Sequence, residues 1–436
     1  MVQTILSQLL DRVGSLVQEA EAFYLHTEDT PIEFENNRLK SLQTKASEGI
    51  ALRVRVNDRI GFASTTDTNR LEDLIEAAIQ TATIGEEATF HFAKDNCTDN
   101  AVAAEEWQPP SFAKLVAVGE RLIEGVRAYN PEIMVSVDLH SRSLHKALAT
   151  TGGTFTEQRW QTVSCTLGGN LVQGEDFLQI YEYDAVRQGE PNYDAILERL
   201  LQKYRWAEKI TAVESGAMPV LFTPRAVGSV IGGLFDTVLS GQTVAQKASP
   251  LADKVGEKLF DTRLTVYEDP TIGVSACSMD DEGTPTQRKT FIEGGVVRGF
   301  YWDRKWAAKA GTTSTGNGFR SGLSRPSPNT CNLCFAPGKT PYPDLLQQLG
   351  TGLIVEQVLG AGQSNQLAGE FSVNLALGYK VVGGEILGRV KNTMVAGSIF
   401  EAFNQLVDLS SERELVAGNS LLPAILFERL GVAAKS

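Results

Sequence analysis

One stretch of alternating side chains constrains the fold of this chain more than any other feature. Leu52, Val54 and Val56 alternate with Ala51, Arg53 and Arg55, and Asn57-Asp58 separates them from Arg59-Ile60-Gly61-Phe62-Ala63. Successive side chains of a strand point to opposite faces, so each run reads as a β-strand. Asn-Asp suits the left-handed backbone of a two-residue turn, and the two runs predict a hairpin. The periodicity then changes. Leu71, Leu74, Ile75, Ala78, Ile79 and Ala82 mark one face of a helix, and Asn69 with Glu72 has the spacing of a capping box.

The same reading extends over the rest of the first half. The N-terminal stretch is amphipathic and carries an acid by its third turn, which predicts a helix and not a signal peptide. Cys97 to Pro110 is polar, ends in Pro-Pro and reads as a loop. A helix is expected from Phe112 to Ala128, strands between Ile133 and Tyr183, and a helix from Tyr193 to Lys209. Beyond Ser215 the chain is rich in glycine and in short β-branched runs. Pro219-Val220-Leu221-Phe222, Gly352-Leu353-Ile354-Val355 and Leu375 to Tyr379 read as strands. Only Thr223–Ser240, Pro343–Leu349 and Gly397–Leu406 read as helices. The expected fold class is α+β, with an N-terminal sheet-and-helix domain over 1–214 and a glycine-rich, mainly β domain over 215–436. No period of 20–50 residues recurs, so a solenoid is not expected.

Composition excludes some functions. The chain has 53 acidic against 40 basic residues, a net charge of -13, so nucleic acid and anionic membranes are not expected partners. No apolar run is long enough to span a bilayer, and a cytoplasmic location is expected. The five cysteines are scattered and imply no disulfide framework.

Few segments carry chemistry. Asp280-Asp281-Glu282 offers three carboxylates to a hard cation, but Gly283-Thr284-Pro285 continues it as a tight turn, and the spacing fits no EF-hand. Thr312 to Gly318 has the glycines and hydroxyls to cradle an anion. It lacks the lysine of a phosphate loop and reads as a surface loop bordering a cleft. Cys331 and Cys334 form a lone CxxC in a strand-like run, Thr330 to Ala336, and read as buried structural cysteines. Histidine is limited to His26, His91, His140 and His145, all in the first half. That leaves few components for a histidine metal site or a Ser-His-Asp triad.

Several ordered motifs together resemble one family. DDEGTPTQRKTFIEGGVVRGF, TSTGNGFR, PSPNTCNLCFAPG and VKNTMVAGSIF follow one another as in the TldD/PmbA family, and IEFENNRLKSLQTKASEGIALRVRVNDRIGFASTTD matches its first part. The resemblance implies a two-subunit peptidase in which the TldD-like subunit binds zinc through His-Glu-x-x-x-His and a later cysteine. Zinc would polarise a peptide carbonyl and activate water there. The matching stretch here is Pro224-Arg225-Ala226-Val227-Gly228-Ser229. Pro224 and Ser229 stand at the histidine positions, Arg225 at the glutamate, and Gly418 to Pro423 offers no thiol. The PmbA (TldE) branch has this pattern. The resemblance thus implies no catalytic residue, metal or cofactor in this chain, zinc in a TldD-like partner, and unfolded peptides as substrates. It links the family to peptide-antibiotic maturation, antitoxin removal and modulation of DNA gyrase.

The residues give that helix a structural reading too. Thr223 is a natural N-cap and Pro224 suits the first helical position. Gly228, Gly232 and Gly233 inside a helix imply close packing against a neighbour. Two other readings remain open. One is an independent hydrolase using Asp280, Asp281 and Glu282, or Ser229. The other is a non-enzymatic homodimer that modulates DNA gyrase.

Overall fold

The computed structural model describes residues 2–94 and 107–435. Helix α1 (Val2–Gly14) precedes strands β1 (Glu19–Glu35), β2 (Arg38–Leu42), β3 (Lys45–Val56) and β4 (Arg59–Thr65), then α2 (Leu71–Ala82). Helix α3 (Phe112–Tyr129), strands β5 (Met134–Thr150), β6 (Phe155–Gln173) and β7 (Asp176–Val186), and helix α4 (Tyr193–Ala207) follow. The strands form one antiparallel sheet in the order β4-β3-β1-β5-β6-β7, with β2 paired to β1. The β3–β4 turn is the expected one, with Asn57 and Asp58 at φ +47° and +57°. Asn36 and Asn37, at φ +51° and +67°, make the same kind of turn between β1 and β2.

Helices cover one face of this sheet. Leu6, Leu9 and Val13 of α1 and Leu74, Ile75 and Ala78 of α2 pack with Ala22, Ile50, Leu52 and Val54. Ser111 caps α3 and Asn192 caps α4, each accepting a backbone N–H two residues into the helix body. The capping box expected for α2 does not form. Arg70 occupies the cap without a side-chain bond, and Asn69 N–H donates instead to Asp67 Oδ1 at 3.0 Å. Of the loop expected from Cys97 to Pro110, residues 97–106 lie outside the described residues, and Trp107–Pro110 is irregular.

The second domain opens with β8 (Gly216–Phe222), α5 (Pro224–Ala226), a π-helical turn (Val227–Gly232), α6 (Gly233–Leu239) and α7 (Gly241–Ala245). Short elements follow: β9 (Val266–Glu268), β10 (Lys289–Glu293), β11 (Val296–Val297), α8 (Arg304–Lys309), β12 (Gly318–Phe319), β13 (Ser327–Pro328) and β14 (Leu333–Phe335). Next come α9 (Tyr342–Leu349), β15 (Gly352–Leu359), β16 (Glu370–Val382), β17 (Glu385–Arg389), β18 (Thr393–Ser398), α10 (Ile399–Ala402), β19 (Leu406–Val416) and β20 (Ser420–Ala434). The helix expected over Gly397–Leu406 shrinks to α10, because both flanks are taken into strands β18 and β19. Helices α7 and α8 were not legible in the sequence; each is too short to show a periodicity.

The large second sheet closes on itself. Strand β8 pairs with β15, β15 with β16, β16 with β18, β18 with β20, and β20 again with β8. The end of β8, most of β15 and the middle of β20 are buried on both faces, which is why their sequences are apolar without alternation, whereas β16 and β18 alternate buried and exposed residues. Val220, Phe222, Leu353, Val355, Ile425 and Phe427 face a core built around Val230, Ile231, Leu234 and Phe235. Their neighbours Leu221, Ile354 and Leu426 face the opposite way, into a cluster with Leu122, Val126, Ile196 and Leu200 of α3 and α4. One hydrophobic core therefore joins the two domains.

Candidate functional site

Three of the sequence-selected residues meet in one place. Pro224, Arg225 and Ser229 line an open cleft of about 670 Å³ between the domains. Tyr181 and Glu182 of β7 and Arg199 and Lys203 of α4 border it from the first domain. Glu356 of β15 and Glu414 to Ala417 at the end of β19 border it from the second.

The backbone under these residues is unusual. Thr223 caps α5 as expected, accepting from Ala226 N–H at 3.5 Å, and Pro224 stands at its first position. The next residues, Val227–Gly232, wind as a π-helix. Positions five apart in an α-helix lie ~140° around the axis from each other. A π turn is bonded i→i+5 and swings the second position back toward the first. Pro224 and Ser229 thus open onto the same cleft. The glycines play different parts. A Cβ at Gly228 would lie 3.1 Å from Val416 Cγ1 and 3.2 Å from Leu422 Cδ1, so the β19–β20 hairpin packs closely there. At Gly232 the nearest contact is 3.6 Å, and at Gly233 nothing lies within 4 Å, so the close packing expected at these two is not found.

Charged side chains are paired inside the cleft. Glu182 is buried, and Lys203 bridges it to the buried Glu356. Arg225 Nη2 reaches Glu182 Oε2 at 3.2 Å, and Arg225 stacks on the Tyr181 ring with its Cζ 4.6 Å from the centroid. Burial raises the pKa of Glu182, but Lys203 and Arg225 outweigh it and hold the carboxyl below its ordinary value. The Ser229 hydroxyl donates to the Arg225 carbonyl at 2.9 Å, one helical turn back. Glu182, Lys203 and Glu356 come from separate elements and carried no local motif, so the sequence did not point to them.

The other sequence-selected segments lie elsewhere. Asp280, Asp281 and Glu282 do form the turn, and all three are buried. Asp280 Oδ1 accepts from the N–H groups of Glu282 and Thr284 at 3.0 and 2.8 Å, and Oδ2 accepts from Gly318 N–H at 2.9 Å. Asp281 pairs with Lys146 at 2.6 Å, and Glu282 with Arg53 at 3.0 Å. Asp281 and Glu282 are therefore tied to the first domain through cations, while Asp280 holds the turn itself. The run Thr312 to Gly318 is not a surface loop throughout. Its end, Gly316–Gly318, is buried, and Asn317 donates to Glu268 and accepts from Lys289. Cys331 and Cys334 are both buried; only Cys334 lies within β14. His140 faces Asp29, His145 faces Glu157, and His26 and His145 line a second cavity away from Pro224.

The fold and the cleft belong to a known class. Residues 215–434 match the PmbA/TldA metallopeptidase C-terminal domain, and residues 20–82 match PmbA/TldA metallopeptidase domain 1. The chain is a member of this TldD/PmbA family. An uncharacterized protein of Methanocaldococcus jannaschii is 22% identical over 94% of this chain and 95% of its own length. A protein of Methanothermobacter thermautotrophicus named metalloprotease is 23% identical over 95% of this chain and 92% of its own. Among solved structures, TldE from Thermococcus kodakarensis superposes with a TM-score of 0.85 at 24% identity, covering 99% of this chain and 100% of that one. A Thermotoga maritima protein solved as a candidate modulator of a DNA gyrase gives 0.88 at 23% identity, with the same coverage. At these identities the two structures establish the fold.

The residues at the positions that the family resemblance assigns to zinc ligands do not suit zinc in this chain. Pro224 has no donor atom, Arg225 is a cation, and the Ser229 hydroxyl is turned to a backbone carbonyl. The hairpin turn packed on this helix, Ala417 to Asn419, carries no thiol or imidazole. The cleft carboxylates Glu182 and Glu356 are held by the Lys203 ammonium, where a metal ion would compete with a charge already in place.

Proposed function

We propose that this chain is the zinc-less subunit of a two-subunit metallopeptidase and works with a zinc-bearing relative on unfolded peptides. The observation that carries the reading is that Pro224 and Arg225 of α5, and Ser229 on the π-helical turn that follows, all face the interdomain cleft. A π turn brings positions five residues apart to one side of the helix, while Pro224, Arg225 and Ser229 have no capacity to bind zinc there. In the complex, zinc belongs to the partner and supplies Lewis-acid activation of the peptide bond. This chain supplies one wall of the chamber. Strand β7 ends its sheet and borders the cleft. A sheet edge of this kind can hold an extended peptide through main-chain bonds, which is tolerant of sequence. The compartment is the cytoplasm.

The test is hydrolysis of an unstructured peptide by the purified chain, by a family member carrying His-Glu-x-x-x-His, and by the two mixed, each with and without chelator. Cleavage that requires the mixture and is lost with chelator is expected. Chelator-sensitive cleavage by this chain alone would overturn the proposal.

A further inference from the structure

The second cavity, of about 940 Å³, is lined in part by Arg187 and Gln188, which directly follow β7. Its size falls within the roughly 300–1,000 Å³ of ligand sites. The chain has 53 acidic residues, yet the cavity lining holds Arg159 and Arg187 and, among the described residues, no aspartate or glutamate.

The two arginines differ. Arg159 has a counter-charge in Glu157 at 2.7 Å. Arg187 is half-buried over the Trp160 ring, with Cζ 4.7 Å from the centroid, and its Nη1 donates to the Ala276 carbonyl. Among the described residues no carboxylate pairs with it, and no hydrogen bond uses its Nε or Nη2. Neither nitrogen is sealed from solvent. Burial lowers the pKa of Arg187, and the group acting against that is the Cys277 thiol, not a carboxylate. A half-buried cation without a counter-ion lacks the interaction that offsets its desolvation.

The unused edge has a defined shape. Nε and Nη2 lie on one side of the guanidinium and present two parallel N–H groups, a fork that fits both oxygens of one carboxylate. Arg53 uses the same two nitrogens on Glu21 in this chain, at 2.7 and 2.6 Å. The Gln161 and Gln188 amides also line the cavity and can both donate and accept, as peptide groups require.

The fold places this fork next to the interdomain cleft. Tyr181 to Asp184 of β7 border the cleft, and Arg187 comes three residues after Asp184. In an extended chain that is a span of ~10 Å. The wall between the two spaces is thin: Val274 N–H, beside the cavity-lining Gly273, donates to Gly418 O at 2.8 Å, next to the cleft-lining Ala417.

We propose that the second cavity binds the free C-terminal carboxylate of a peptide lying along β7, with Arg187 Nε and Nη2 holding its two oxygens. The choice of a peptide rests on the function proposed above; the choice of a carboxylate rests on Arg187. A peptide anchored in this way runs parallel to β7, and its place in the cleft is counted from its C-terminus.

The experiment follows the fluorescence anisotropy of a short, unstructured, N-terminally labelled peptide with the full-length chain. The peptide is used as the free acid, as the C-terminal amide, and as an amide carrying one internal glutamate. The free acid should bind about tenfold more tightly than either amide. Arg187→Gln should bring all three to one affinity, and Arg187→Lys, which keeps the charge without the fork, should retain part of the preference. Circular dichroism checks that each variant is folded. Equal binding of acid and plain amide by the wild type, no binding of any of the three, or a preference that survives in Arg187→Gln would overturn the proposal. A glutamate-bearing amide that binds as tightly as the free acid would overturn the assignment to a chain terminus. Hydrolysis by the mixed subunits separates this site from the peptidase reading: cleavage in the mixture without any preference for the free acid refutes the Arg187 site and leaves that reading standing.

Discussion

Replacing Arg53 by methionine tests how the two domains are held together. Arg53 is 4% exposed on β3, where its guanidinium donates to both oxygens of Glu21 at 2.7 and 2.6 Å and to Glu282 of the second domain at 3.0 Å. Methionine keeps much of the volume against Phe90 and Phe92 but leaves two buried carboxylates short of their cation. Breaking a buried pair by removing one partner costs about 3–5 kcal/mol. Glu21 retains Arg320, and Glu282 retains the Arg304 N–H at 2.8 Å, so the lower end, about 3 kcal/mol, is expected. With a urea slope of about 3 kcal/mol/M, the unfolding midpoint falls by roughly 1 M. Urea titration followed by tryptophan fluorescence reads this directly. Adding Glu282→Gln to the variant should cost less than it does in the wild type, because the carboxylate it removes has already lost its partner. A midpoint shift under about 0.3 M for Arg53→Met would refute the argument, since a cation in that setting cannot be removed so cheaply.

Two further outcomes are expected. Gly61→Ala places a methyl 1.9 Å from the Ala78 carbonyl oxygen, so α2 must move off β4; a loss of about 1–3 kcal/mol in chemical denaturation is expected, and no loss would mean that the contact is loose. Acid should destabilise the protein through Glu21 and Glu182. For both, burial raises the pKa, but the paired cations lower it further, Arg53 and Arg320 at Glu21 and Lys203 and Arg225 at Glu182. The unfolded chain then binds more protons, so their stabilisation is full above the ordinary carboxylate value near 4.5 and is lost as pH falls below it. Denaturation midpoints measured from pH 6 downward should decline in that window, and Glu182→Gln should flatten the decline; a flat wild-type profile would contradict the pairing.

Much of the architecture was legible because it is set by near neighbours. The alternation through Val54, the Asn57-Asp58 turn and the stripe from Leu71 to Ala82 depend on backbone geometry within a few residues, and all formed as expected. Runs such as Val220-Leu221-Phe222 were readable as buried strands, but not their closure into a circuit, which rests on pairings between residues far apart in the chain. The helix misread at Gly397–Leu406 has the same origin: β18 and β19 find partners in β16 and β20, and those bonds outweigh local preference.

At the candidate site, the motif positions Pro224, Arg225 and Ser229 came from the sequence, as did the absence of zinc ligands among them. Only the tertiary structure showed the π turn beneath them and the Glu182–Lys203–Glu356 cluster in front of them. Arg53 illustrates the division most plainly. Its place in the alternation puts it on the face opposite Leu52 and Val54, and that much the sequence determined. Whether that face meets water or protein depends on what the rest of the chain lays over it. Here the second domain brings Glu282, Arg320 and Leu323 onto it, so a side chain that alternation alone would leave in water becomes a buried link between domains. Local periodicity specifies which way a side chain points; the medium it points into is decided by packing between residues far apart in the chain.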